Sequence, residues 1–274
     1  MWSVHGARDG AVWIGTRGAL HVWSNEKLDT FPGYEFVRSI FQDRSGRVWF
    51  GSANAGVVCF ADGRFEPGPA LLREIDDTAV AMTEGADGAI YIGYYRSGLV
   101  KLDRGSLTLF SQQNGLPADD VRSVLVDSDN NVWVGARGRS LAVLHEGQWW
   151  NPDLFADLTN DLVSALAIDA SDRIRVGSPQ GVMWAPRAEL LEFARGMRAD
   201  NVLRSAVTVD NVRGVGVSSS IQPVVWTAAS PSPPAAGLCG SIPGKSSPTP
   251  CRRRSRSRES GSTVSGFRIQ ASST

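Results

Sequence analysis

A short pattern returns along this chain at a nearly constant interval. It reads RDGAVWIGT, RSGRVWFGS, ADGAIYIGY, SDNNVWVGA and SDRIRVGS, ending at Thr16, Ser52, Tyr94, Ala136 and Ser178. The shared glycines are Gly15, Gly51, Gly93, Gly135 and Gly177, spaced by 36, 42, 42 and 42 residues. Two residues before each stands Trp13, Trp49, Tyr91, Trp133 or Arg175. Five residues before each stands Gly10, Gly46, Gly88, Asn130 or Asp172, types that tolerate a positive φ. Upstream, VRSI, AVAM, VRSV and VSAL begin at 37, 79, 121 and 163 in the same frame. A period near 42 restricts the chain to repeated copies of one supersecondary unit.

Each unit reads as strands. VRSIFQD alternates in polarity, a tight turn follows, RVWFGS and GVVCFAD supply two more strands, and GRFEP is a short polar outer one. No helical periodicity of similar strength occurs before about residue 187. Four antiparallel strands per unit define a β-propeller blade. The expected fold is therefore all-β: five recognisable blades and a weaker, partial sixth over 202–227, followed by a disordered tail over 228–274. Trp13, Trp49, Tyr91 and Trp133 are expected to pack between blades, and the five glycines to admit neighbouring backbone.

Beyond the repeat, the residues D-x-x-G-x-V/I-W-x-G-T/S and the lead-in NGLPADDVRSV of residues 114–124 resemble the two-component regulator propeller repeat. The resemblance is strong to about residue 185 and weaker through SSSIQPVVW, residues 218–226. It departs at Tyr91 and Arg175, and at Gly85, which stands in place of an Asp. It implies a periplasmic sensing region of a bacterial signalling receptor, whose output is a histidine kinase, a diguanylate cyclase or a DNA-binding domain. None of those outputs is visible in this sequence, so the chain reads as a fragment. An open arc of blades would expose faces and edges and is expected to aggregate or to pair with another chain.

Charge separates the blades from the tail. Of 28 basic and 28 acidic residues, those after Asp210 hold eight basic and one acidic, leaving 20 and 27 before it, a net of −7. The blades therefore give no footprint for nucleic acid. No apolar run reaches the length of a membrane span, and the N-terminus does not read as a signal peptide. From Ala228 the chain is rich in Pro, Ser and Arg without periodicity. Two readings stand: a natural basic tail, or translation out of frame where the next blade strand belongs; the second is preferred. CGSIPGKS lacks the first glycine of a phosphate loop, and RRRSRSR (252–258) has meaning only if the tail is in frame.

Chemistry-bearing motifs are sparse. Cys59, Cys239 and Cys251 form neither a disulfide framework nor a zinc pattern, and His5, His21 and His145 are scattered. DSDNN (127–131) opens like a calcium loop but has Val132 and Gly138 where such a loop needs Gly and Glu. Asp76–Asp77 and Asp119–Asp120 read as loop-capping carboxylates. No metal, cofactor or catalytic residue is expected, and the propeller itself is not expected to be an enzyme. Topology offers a binding site instead. Loops joining strands two and three share an end of the propeller with the connections between blades. That end carries Arg17, Asn54, Tyr94, Tyr95, Arg96, Arg137, Arg139 and Gln180. Clustered Arg and Tyr suit an anionic or carbohydrate small molecule, or a protein ligand. A propeller lyase or glycosidase, or a stand-alone interaction propeller, are the alternatives.

Overall fold

The computed structural model describes residues 1–138, 141–151, 162–179, 181–200 and 202–208. Twenty strands form five separate four-stranded antiparallel sheets, each in simple up-and-down order. Blade one holds β1 (Ser3–Gly6), β2 (Val12–Gly15), β3 (Ala19–Ser24) and β4 (Lys27–Pro32). Blade two holds β5 (Ser39–Gln42), β6 (Val48–Ser52), β7 (Gly56–Ala61) and β8 (Arg64–Pro67). Blade three holds β9 (Ala79–Glu84), β10 (Ile90–Tyr94), β11 (Leu99–Asp103) and β12 (Ser106–Phe110). Blade four holds β13 (Val121–Val126), β14 (Val132–Ala136), β15 (Leu141–His145) and β16 (Gln148–Trp150). Blade five holds β17 (Ala165–Ile168), β18 (Arg173–Ser178), β19 (Gly181–Pro186) and β20 (Arg204–Thr208).

Two departures from strict repetition have local causes. The short first period lies in its connection: the links from β8 to β9 and from β12 to β13 contain 3-10 turns, Ala70–Glu74 and Gln112–Asn114, and the link from β4 to β5 does not. In blade five a helix, α1 (Arg187–Ala194), is inserted between β19 and β20, with Leu190 and Ala194 buried against the blade. Arg204–Thr208 lies in the span expected to begin a sixth blade; it pairs with β19 as the outer strand of the fifth. The remainder of that span, and the tail, lie outside the described residues.

The glycine that follows each aromatic marks a blade-to-blade seam. A methyl group at Gly15 would overlap the Ser3 hydroxyl and the carbonyl oxygen of Val37 in blade two. At Gly51 it would overlap Ala79, and at Gly135 it would overlap Ser123 and Val163, each time including the first residues of the next blade. At Gly93 the side chain of Val121 fills the space. Hydroxyls stitch the same seam: Ser3 donates to the Val37 carbonyl at 3.0 Å and Ser39 to the Ala79 carbonyl at 2.9 Å. Gly177 differs, its nearest neighbour being the Ala165 β-carbon of its own blade at 3.0 Å.

At the opposite end of the blades an aspartate holds the tight turn in blades two, four and five, and it is buried in the first two of these, whereas blade one has Ala7 at that position. All five turn residues, Gly10, Gly46, Gly88, Asn130 and Asp172, adopt positive φ. Asp43 is 1 % exposed; its carboxylate accepts from the Arg47 backbone, the Ser45 hydroxyl, the Arg47 guanidinium and the Trp49 indole at 2.9 Å. Asp127 repeats this with Asn131 and Trp133. Asp169 does so with Arg175, whose guanidinium donates to the oxygen that an indole N–H would otherwise reach. Arg175 thus keeps the hydrogen bond that its position requires. Gly85 replaces the aspartate in blade three, and a side chain there would collide with Asp87 and Asn130. Asn130 uses that space to accept the Ala86 N–H across the seam.

Two expectations follow. Gly135→Ala lowers unfolding free energy by about 1–3 kcal/mol, because a backbone carbonyl and a packed valine must move, while Gly177→Ala changes it by much less; urea titrations compare the two. Burial alone would raise the Asp43 carboxyl, but the bonds from Ser45, Trp49 and Arg47 outweigh it and hold it below the ordinary value. Its folded value is depressed, so its stabilisation is complete above the unfolded value of about 3.9 and is lost as pH falls through the folded one. Urea midpoints measured between about pH 2 and 7 should fall in acid, and Asp43→Asn should be less stable at neutral pH with a shallower acid dependence.

Candidate functional site

The end of the blades opposite the aspartate turns carries, among the described residues, an alternation of cations and rings. Backbone bonds bring the two loop sets together there: Ala53 N–H donates to Glu35, Tyr95 N–H to Thr78, and Arg137 N–H to Asp120. Blade-connecting segments and strand-two-to-three loops therefore share this end, as the repeat topology requires.

A row of side chains crosses it. The Arg17 guanidinium lies 5.4 Å from the Phe36 ring centroid. Phe36 is tilted against Trp2 at 6.3 Å. Arg38 covers Trp2 at 4.5 Å and reaches within 5.9 Å of Tyr95. Arg122 covers the other part of the row, 4.2 Å from Tyr95, and is held in a fork by both oxygens of Asp120 at 2.5 and 2.8 Å. Burial would lower the Arg122 value, but the hydrogen bonds it donates to Asp120 and Tyr95 raise it, so this cation is permanent. Trp2, Arg38 and Arg122 occupy one repeat position, at the start of the inner strands, where blade three has Val80.

The row is held by the backbone beneath it. Phe36 has φ 48°, a left-handed conformation that disfavours an aromatic residue. Its N–H donates to Arg17, and the next N–H, of Val37, donates to Thr16. Such conformations persist where surrounding bonds over-determine them, and they concentrate at binding sites.

Of the residues expected at this end, Arg17 and Tyr95 join the row. Arg96 and Arg137 are exposed beside it, with their backbone N–H groups engaged by Asp77 and Asp120. Asn54 ties its loop to the connection between blades one and two: its oxygen accepts from Glu35 N–H and the Ser52 hydroxyl, and its amide donates to the Gly33 carbonyl. Tyr94 does not face the loops. It is 1 % exposed between blades two and three, its hydroxyl has no hydrogen-bond partner, and burial pushes its value upward. Its place in β10 explains this: Ile90 through Tyr94 are all covered because blade three has a neighbour on both sides. Arg139 and Gln180 lie outside the described residues. Trp2, Phe36, Arg38 and Arg122 were not expected as ligand contacts. The arginines of VRSI and VRSV, two periods apart, were their visible signal.

The expected structural carboxylates behave as such: Asp77 accepts from Thr78 and Arg96 N–H, and Asp119 from Gln112 N–H. Two of the histidines engage within their own blades, His21 with Thr16 and Thr30 and His145 with Asn131. At the aspartate end, Arg187 joins blades four and five by ion pairs to Asp129, to Asp172 at 2.8 Å and to Asp127 at 3.5 Å. Cys59 is a buried free thiol whose value burial raises to about 11, too high for a nucleophile at neutral pH.

Comparison with known proteins adds the following. Residues 30–54 and 115–138 match the family model described as two component regulator propeller. No curated protein sequence matches the chain. Among solved structures it is similar to the extracellular domain of BT3049 from B. thetaiotaomicron, assigned as a hybrid two component system. The two share 18 % identity with a TM-score of 0.66, over 78 % of this chain and 29 % of that one. The extracellular domain of BT4673 from the same organism, assigned as a one component system, shares 16 % with a TM-score of 0.60, over 80 % and 31 %. Virginiamycin B lyase from Staphylococcus aureus shares 15 % with a TM-score of 0.56, over 68 % and 67 %. The chain thus spans under a third of the two sensor chains it resembles. At these identities the likeness establishes the fold, a β-propeller architecture common to sensor domains and to lyases. No helix among the described residues is long and apolar enough to cross a membrane.

The row makes its own energetic expectation. A double-mutant cycle between Tyr95→Leu and Arg122→Met, read by urea unfolding, should give a coupling of about 0.5–2 kcal/mol; a coupling near zero would remove the cation–ring account.

Proposed function

We propose that this chain is the ligand-sensing propeller of a bacterial signal-transduction receptor, of two-component or cyclic-di-GMP type, acting outside the cytoplasm. The observation that carries the reading is the match of two separated repeat segments to the two component regulator propeller model. The likeness to extracellular sensor domains supports it. The output this reading implies is a histidine kinase or a diguanylate cyclase.

The ligand contacts we assign are Arg17, Phe36, Trp2, Arg38, Tyr95 and Arg122. Arginines pair with carboxylate or sulfate, and the ring faces accept the apolar face of a sugar. The ligand is therefore an acidic saccharide or a comparable small anion with an apolar face. Calorimetric titration of the full chain with acidic and neutral oligosaccharides should show binding of an acidic member. Arg38→Ala should weaken it by about tenfold or more, as loss of one charged hydrogen bond implies, with affinity falling as salt rises. Affinity that Arg38→Ala and Tyr95→Ala both leave unchanged would refute the site.

The second reading is a propeller lyase, favoured by the likeness to virginiamycin B lyase, one structure of which holds quinupristin. Incubation with quinupristin and analysis of the product by mass spectrometry decides it: turnover would replace the sensor reading, and unchanged substrate would leave it standing.

A further inference from the structure

Blades meet here through the same two surfaces at every seam. The earlier blade offers the face bearing its strand-two aromatic: Trp13 with Leu20, Trp49 with Val57 and Cys59, Tyr91 with Leu99, Trp133 with Leu141 and Val143. The later blade offers an aliphatic face: Ile40, Val48 and Phe50; Met82, Ile90 and Ile92; Val124, Val132 and Val134; Leu166, Ile174 and Val176. Val132 and Val134 are 1 % exposed, and Phe50, Ile92, Ile174 and Val176 are fully buried.

Among the described residues, blade one carries the aliphatic face with no blade against it. The matching residues are Val4, Val12 and Ile14, and all three are half-exposed. Cross-strand pairing continues the face outward, Val12 to Trp23 and Trp23 to Leu28. Trp23 is 45 % exposed and Leu28 55 %, whereas Phe60 and Phe65, at the equivalent positions of blade two, pack into the core. Strand two shows the contrast: β6, β10 and β14 are buried throughout, but β2 alternates between buried and half-buried.

We propose that this face is the docking surface for one further blade of the same repeat, lying ahead of β1 in the polypeptide and presenting an aromatic two residues before its glycine. Continuity with the existing seams carries the assignment, since in all four the blade on the aliphatic face is the one that precedes it in sequence. The competing occupant is the exposed end of blade five, from the same chain or a second copy. Its chemistry is wrong. Arg173 and Arg204 flank Trp184 at 4.8 and 5.0 Å, and Arg175 replaces the aromatic with its side chain 38 % exposed. Arg173 and Arg175 share the one carboxylate of Asp169 and Arg204 reaches Glu189 at 3.9 Å, so seating the three guanidinium groups on Val12, Ile14 and Trp23 would bury an ionic cluster where every described seam places an aromatic ring and aliphatic carbon. The chain also spans only 29 % and 31 % of the sensor chains whose fold it shares, lengths that accommodate further repeats.

The test extends the full chain with a copy of residues 37–78 joined directly ahead of Met1, which keeps the repeat in register. Hydrogen exchange of backbone amides in β2 and β3 should slow by about tenfold or more, and the melting temperature should rise. Ile14→Glu should abolish the gain in the extended chain and have little effect in the unextended one. Changing to Arg the copied tryptophan that corresponds to Trp49 should abolish it as well. Unchanged exchange in β2 and β3, whether or not the added copy is itself protected, would overturn the proposal. So would a concentration-dependent dimer of the unextended chain, seen by sedimentation and lost on Ile14→Glu, since the occupant would then be a second copy.

Discussion

A main-chain carbonyl sits where a side chain would otherwise stand, and the arrangement of the blades depends on that approach. At Gly15, Gly51 and Gly135 the backbone of the next blade occupies the space of a β-carbon. The tryptophan two residues earlier can then bury its ring over the neighbouring aliphatic face, and the serine hydroxyl opposite can reach the same carbonyl. Any residue larger than glycine would hold the sheets apart and weaken all three contacts together. The buried aspartates serve the other end. They fix the turn that sets the angle of the indole, and the indole N–H adds one more donor to a buried carboxylate already bonded within its turn.

Much of this was legible because it repeats. The period located the glycines, the aromatics and the positive-φ turn residues, since each is required by backbone geometry and so recurs at the same phase. What was not legible depended on neighbours in space. Arg175 reads as a departure until its guanidinium is seen taking the indole's place on Asp169. Tyr94 reads as a loop residue, but having a blade on both sides buries it. Arg38 and Arg122 were hidden by the regularity of the repeat itself, because residues in a recurring lead-in look like framework. Only the approach of both to Tyr95 separates them from it. The outer strand β20 escaped notice because α1 moves it away from the expected phase.

The two ends of the blades have divided their labour. The aspartate end spends its charges on itself: Arg47, Arg173 and Arg187 are each committed to a carboxylate of their own blade or the next. At the loop end, Asp120 is paired with Arg122, while Arg17 and Arg38 lie over rings that are only half-buried. Cations over accessible ring surface suit an acidic, partly apolar guest.

Because each seam is assembled from parts of two adjacent blades only, the energetic coupling along the chain is nearest-neighbour. Gene duplication of one unit therefore brings both halves of a working joint with it, and needs no compensating change elsewhere. Families built this way can vary in blade number more readily than in blade design. The loop end, which makes no contribution to the glycine joint, is left free to diverge from copy to copy while the scaffold stays uniform.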